Sequence, residues 1–174
     1  MHFILITVAL ATIIPCLLGA AIDLKGLTQR DELEQFDQLD QLADVAGLPT
    51  KAVRCGGNLA RAEIHDTSNI KRTAGAAVDH ITGNTVVGDQ NYPKRYGYRD
   101  PHVSLASSCS STDSLYEFPI TTGIWNGVPA RTTDIPDRVI IKMNKKKAIY
   151  CGLITHTGAP ADPNTQNPFT SCTG

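Results

Sequence analysis

TSNIKRTAGAAVDHITG, residues 67–83, is the stretch whose apolar residues recur with a helical period. Ile70, Ala74, Ala77, Val78 and Ile81 fall on one face. Thr67 or Ser68 offers a capping hydroxyl at its start, and Gly83 stops it. Downstream of Gly83 the chain has a different rhythm. Val86-Val87, Tyr92–Tyr98, Val103–Ala106, Leu115–Ile120, Arg138–Met143 and Ala148–Thr155 are short Val/Ile/Tyr-rich runs broken by Gly, Pro, Asn and Ser, the pattern of strands. One helix and then a series of strands predicts an α+β fold, one α-helix packed on a twisted antiparallel β-sheet.

Upstream of this body the chain reads differently. Residues 1–20 hold an apolar run, Phe3 to Leu18, closed by the small residues Gly19, Ala20 and Ala21, as in a secretory signal peptide. The run is too short to span a bilayer, for which roughly 20 residues are needed, and no later segment approaches that length. A secreted protein without a membrane anchor is predicted. Residues 21–54 carry Asp31, Glu32, Glu34, Asp37, Asp40 and Asp44 interleaved with Leu33, Phe36, Leu39, Leu42 and Val45, an amphipathic acidic helix. It reads as a propeptide ending near Lys51 and Arg54, or as a retained acidic arm. Residues 55–174 form one domain by size, small enough to benefit from disulfides.

Charge follows the same division. From Cys55 onward there are twelve Lys+Arg and ten Asp+Glu, a net of +2, whereas residues 22–54 have four against seven, a net of −3. The overall −1 conceals a mildly basic body, which suits a polyanionic partner without specifying one. Cys16 leaves with the signal segment, so Cys55, Cys109, Cys151 and Cys172 remain, an even set with three possible pairings. No Cys-x-x-Cys or His-x-x-x-His spacing is present, so disulfides are predicted rather than a metal site.

Three of the predicted strands carry one reactive group each. Alternation in Leu115-Tyr116-Glu117-Phe118-Pro119-Ile120 turns Tyr116, Phe118 and Ile120 to the core and places Glu117 on the open face. Arg138 shares a face with Ile140 and Lys142, and His156 sits where the run through Leu153 and Ile154 opens into Thr157-Gly158. Each alone is an ordinary solvated or structural residue. Together they match what RNA cleavage by its own 2′-hydroxyl requires: a base (Glu117), an acid (His156) and a cation against the phosphorane (Arg138), with no cofactor or metal. Adjacent antiparallel strands can bring such distant residues side by side.

Cys55-Gly56-Gly57-Asn58, Asn91-Tyr92-Pro93, Glu117-Phe118-Pro119, Pro136-Asp137-Arg138-Val139-Ile140, Thr155-His156-Thr157-Gly158 and Phe169-Thr170-Ser171-Cys172 occur in this order across the body. In these motifs it resembles the fungal guanyl-specific ribonucleases of the N1/T1 type, and especially their purine-preferring U2 branch. The resemblance implies a monomeric enzyme acting on single-stranded RNA. It makes Glu117 the base, His156 the acid, Arg138 a phosphate-stabilising cation and Tyr92 a hydroxyl donor to the phosphate. Phe169 would pack beside the reacting phosphate, Tyr96 and Tyr98 would stack on the purine, Asp100 would accept from its N–H edge, and Asn167 would lie near the base. The pairings implied are Cys55–Cys172 and Cys109–Cys151. One position departs from the family: Lys94 stands where active members have histidine. It keeps the cation beside Glu117 but is longer and less well positioned, which lowers the expected activity. The departure keeps in play a weakened or inactive secreted effector that binds RNA or a host protein. A ribotoxin is a further alternative, although Lys142 to Lys147 is the only basic cluster, most simply a solvated hairpin turn.

Overall fold

The computed structural model describes residues 44–97, 100–128, 134–145, 147–163 and 167–174. The chain divides into two units, Met1–Phe36, which lies outside the described residues, and Asp37–Gly174, which holds all of them. The signal-like run, most of the acidic segment and Tyr98 therefore lie outside the described residues.

The predicted helix forms as α1, Thr67–Thr82. Its cap is Asp66 rather than Thr67 or Ser68: the carboxylate accepts from the Asn69 N–H at 2.7 Å and from the Ser68 hydroxyl. The same two bonds, the Asn69 bond first, hold the Asp66 carboxyl below its ordinary range. A charged acceptor at a helix N-terminus outcompetes a neutral hydroxyl because it also meets the helix dipole. Gly83 ends the helix, donating its N–H to the Asp79 carbonyl at 2.8 Å. Ile70, Ala74, Ala77 and Val78 are fully or almost fully buried, with Ile81 partly so. They pack on Phe118, Val139, Ile141, Tyr150 and Leu153, the sheet face that forms the main core.

That sheet runs β1 (Val45–Ala46), β7 (Lys147–Thr155), β6 (Asp137–Asn144), β5 (Leu115–Pro119), β4 (Lys94–Arg95), with β8 (Thr170–Ser171) also on β7. A small hairpin, β2 (Val53–Cys55) with β3 (Glu63–His65), stands apart. The expected antiparallel sheet is in fact mixed, because β1 pairs with β7 in parallel, Val45 opposite Ala148. A parallel neighbour needs a long connection, and about a hundred residues separate the two strands, so the chain has ample reach. Val45 and Val53, within the segment read from sequence as propeptide or arm, are buried in the main core, and Arg54 exchanges two backbone hydrogen bonds with Thr173. Val103–Ala106 forms no strand; Ala106 instead donates to the Cys151 carbonyl as part of a covering loop. Val87 makes a single bridge to Tyr92.

Both disulfides form as expected, Cys55–Cys172 and Cys109–Cys151. Between Ile140 and Ile141 the β6–β7 register shifts, leaving Cys151 as an extra residue on β7. The bulge resets the alternation: Tyr150 and Leu153 face the helix, while Cys151 and Ile154 face the other side. There they join Tyr96, Val103, Cys109, Leu115 and Ile140 in a second core. The sheet is thus covered on both faces.

Candidate active site

That second cover changes the setting of Glu117. Its strand neighbour on the same face, Leu115, is 1 % exposed, and Glu117 itself is 8 % exposed, not out on an open face as alternation alone implied. Tyr96, Val103 and Cys109 cover that face of the sheet, packed with Leu115 and Ile140. Burial pushes the Glu117 carboxyl above its ordinary range, opposed by the charges of Arg138 and Lys94 and reinforced by Asp100. One of its oxygens, Oε2, is buried with no hydrogen-bond partner among the described residues. A carboxylate left unsatisfied by the protein is ready to accept a proton from a bound hydroxyl.

Register assembles the rest. Lys94 on β4 and Ile140 on β6 flank Glu117 on β5, so all three share one face. Arg138, two residues from Ile140, is a diagonal neighbour of Glu117 on that face. Its guanidinium is almost wholly buried, held by the carbonyls of Ile135 and Asp137 and donating from Nε to the Tyr92 hydroxyl at 3.4 Å. The Tyr92 ring is 2 % exposed and packs edge-on against Trp125, centroids 5.6 Å apart. Trp125 fits because Gly88 lies over it: a Cβ there would come within 2.4 Å of the indole, and its φ of +71° is one that glycine adopts readily. Lys94 donates from Nζ to Gln90 Oε1 at 3.0 Å and lies 4.9 Å over the Tyr92 ring.

His156 comes directly after β7, its N–H bonded to the Pro136 carbonyl at 3.1 Å. Its Nδ1 is 2.9 Å from the Pro168 carbonyl, so Nδ1 carries a proton and donates there, leaving Nε2, 3.1 Å from the Asn167 amide, as the nitrogen that can take up a second proton. Burial lowers the affinity of the ring for its second proton, partly offset by the Pro168 bond. Phe169 stacks on the imidazole, centroids 3.7 Å apart, and meets Tyr96 edge-on at 6.2 Å.

One cavity of about 370 Å³ is lined by Gln90, Tyr92, Lys94, Glu117, Arg138, His156, Asn167 and Phe169. It gathers all five residues assigned to catalysis, with Asn167 and Phe169 from the binding set. Tyr96 and Asp100 are not in its lining. Tyr96 is 8 % exposed inside the second core, and Asp100 is buried beneath, one oxygen accepting from the Tyr96 hydroxyl at 3.1 Å and the other from the Phe169 N–H at 3.1 Å. Gln90 and Trp125 were not singled out from sequence; Gln90 falls four residues before Lys94 in a polar turn that carries no periodic signal. Among the described residues one group has metal-ligand character, Cys55, His65 and Asp137. The Cys55 sulfur is spent in a disulfide, and His65 is bonded to Asp137 at 2.7 Å, so the group serves structure.

An α+β domain that collects a buried carboxylate, an imidazole and a buried guanidinium in one cavity has the equipment of a small nuclease. The chain belongs to the ribonuclease family of the N1/T1 microbial type: a family model described as ribonuclease matches residues 50–173. It is an endoribonuclease, with RNA as its substrate. A comparison with curated proteins finds no match.

Proposed function

We propose that the protein is a secreted, metal-independent, monomeric endoribonuclease that cuts single-stranded RNA on the 3′ side of purines, guanine favoured, through a 2′,3′-cyclic phosphate. The observation that carries the catalytic part is the single cavity shared by Glu117, His156, Arg138, Tyr92 and Lys94. Glu117 takes the proton of the 2′-hydroxyl through its unpartnered oxygen, and the 2′-oxygen attacks phosphorus. The bond to the 5′-oxygen breaks as His156 Nε2 delivers a proton to it. Arg138 and Lys94 stabilise the charge on the phosphorane. Tyr92, whose oxygen already accepts from Arg138, keeps its own proton to donate to a phosphate oxygen. The purine preference rests on the family resemblance. Two disulfides, and the absence of a helix long and apolar enough to cross a membrane among the described residues, accord with secretion.

One experiment tests the cleavage chemistry, its metal independence and the base choice together. A defined RNA is incubated with the protein, with and without EDTA, and the fragment ends are mapped. Cyclic phosphates on 3′-terminal purines, unaffected by EDTA, are expected. Fragments ending mainly in pyrimidines would remove the specificity claim, and 5′-phosphate ends would remove the mechanism.

A further inference from the structure

Beside the catalytic cavity lies a larger one, about 740 Å³, lined by Arg61, Glu63, Asp134, Pro136, His156 and Thr157 among others. Among the described residues the two share a single lining residue, His156. If His156 protonates the leaving 5′-oxygen, the strand beyond the cut must depart on the side of the imidazole. A cavity there, within the roughly 300–1,000 Å³ range of ligand sites, is open to it.

The wall bearing Arg61 is fixed to the His156 loop. Arg61 lies in the turn between β2 and β3. Gly56, in the same turn, sits so close to Thr157 that a Cβ would come within 2.8 Å of its methyl group, and its φ of +79° again suits glycine. A Cβ on Gly158 would come within 2.7 Å of Leu59. The Cys55–Cys172 disulfide ties the hairpin to the chain just beyond Phe169. The turn that carries Arg61 is therefore packed against the loop that carries the imidazole.

Among the described residues of this lining, Arg61 and His156 are the ones that can be cationic, while Glu63 and Asp134 present carboxylates. Phosphate oxygens are repelled from the carboxylates and drawn to Arg61; the carboxylates suit the amino donors of a base edge. We propose that this second cavity is a downstream-nucleotide subsite in which Arg61 binds the phosphate one position 3′ of the cleaved bond. The inference rests on the ribonuclease reading of the first cavity and extends it to substrate length.

The test compares a dinucleoside monophosphate carrying a 5′ purine with the same compound extended by one 3′ nucleotide, which adds one downstream phosphate. The parent is expected to give a higher kcat/KM on the longer substrate. Arg61→Ala should cut the long-to-short ratio by up to about fivefold, the scale of one exposed ion pair. On the longer substrate it should also flatten the log–log salt dependence by about 0.7. Arg61→Lys should recover most of the ratio. Equal cleavage of both substrates by the parent, or a ratio unmoved by Arg61→Ala, would overturn the subsite alone. Failure of the parent to cut either would overturn the catalytic reading and the subsite with it.

Discussion

Burial shifts the titrations of the proposed base and acid, Glu117 and His156, toward each other, and this sets the shape of the expected pH–rate profile. In the proposed mechanism Glu117 works when ionised, above a value raised from its ordinary 4.5, and His156 works when protonated, below a value lowered from 6.5. Both shifts point inward, so kcat/KM should trace a narrow bell peaking between those two values, near pH 5.5 if the shifts are similar. Beyond either limb each pH unit removes about a factor of ten, so at pH 8.5 the rate lies at least about 100-fold under the optimum. Lys94 supplies the perturbation. Its charge helps keep Glu117 ionised but is not among the charges acting on His156. Lys94→Ala should therefore move the acid limb to higher pH, leave the alkaline limb in place and lower the peak, while Lys94→His, cationic in this range, should hold the acid limb near the parent position. Initial rates on a short purine-containing RNA from pH 3.5 to 9, at constant ionic strength, resolve both limbs. A parent rate that stays flat from pH 6.5 to 9 would falsify the assignment of His156 as acid. An acid limb in Lys94→Ala that stays put or moves down would show that the lysine does not support Glu117.

Glu117→Gln and His156→Gln should each reduce cleavage by about 10² or more. Because the folded-state pKa of Glu117 is raised, its ionisation costs stability as pH rises; Glu117→Gln should thus melt higher than the parent at pH 7, a gain that fades below about pH 4 in thermal scans. A chain starting at Cys55 loses Val45 and Val53, worth about 3–6 kcal/mol together at about 1.5–3 kcal/mol per buried valine, against a total of about 5–15 kcal/mol. We therefore expect urea midpoints to show a chain starting at Asp44 markedly more stable than one starting at Cys55, and equal midpoints would mean that β1 contributes nothing. Replacing Cys109 and Cys151 by alanine should cost about 2–4 kcal/mol. By loosening the cover over Glu117 it should also shift the acid limb to lower pH, which a pH–rate profile of the double variant reads directly.

The parts of the fold that were legible are those with a repeated signal. Five apolar residues at helical spacing define α1, and the long alternating runs define β5, β6 and β7. The missed parts lack such repetition. Val45-Ala46 is a two-residue strand at the end of an acidic stretch with helical spacing, so nothing local marks it; its partner on β7 decides it. Strand alternation places Glu117 opposite Phe118, yet it is silent on whether a loop covers the Glu117 side. Tyr96, Val103 and Cys109, which do so, are too scattered to read as a core. For the site, motif order was enough to nominate seven of the eight described residues that line the candidate cavity. It was not enough for Gln90 and Trp125, which act through contacts with Lys94 and Tyr92.

Asp100 bears on how a purine would be chosen. Its two carboxylate oxygens already hold the Tyr96 hydroxyl and the Phe169 amide. Each oxygen keeps a further lone pair, but Asp100 is buried, so a guanine edge could reach it only by moving aside what covers it, and displacing Phe169 would loosen the ring stacked on His156. Under the proposed purine preference, base choice at this residue would then be coupled to its cover: the energy that discriminates one purine from another is the bonds gained less the packing given up, and that loss is felt at the imidazole.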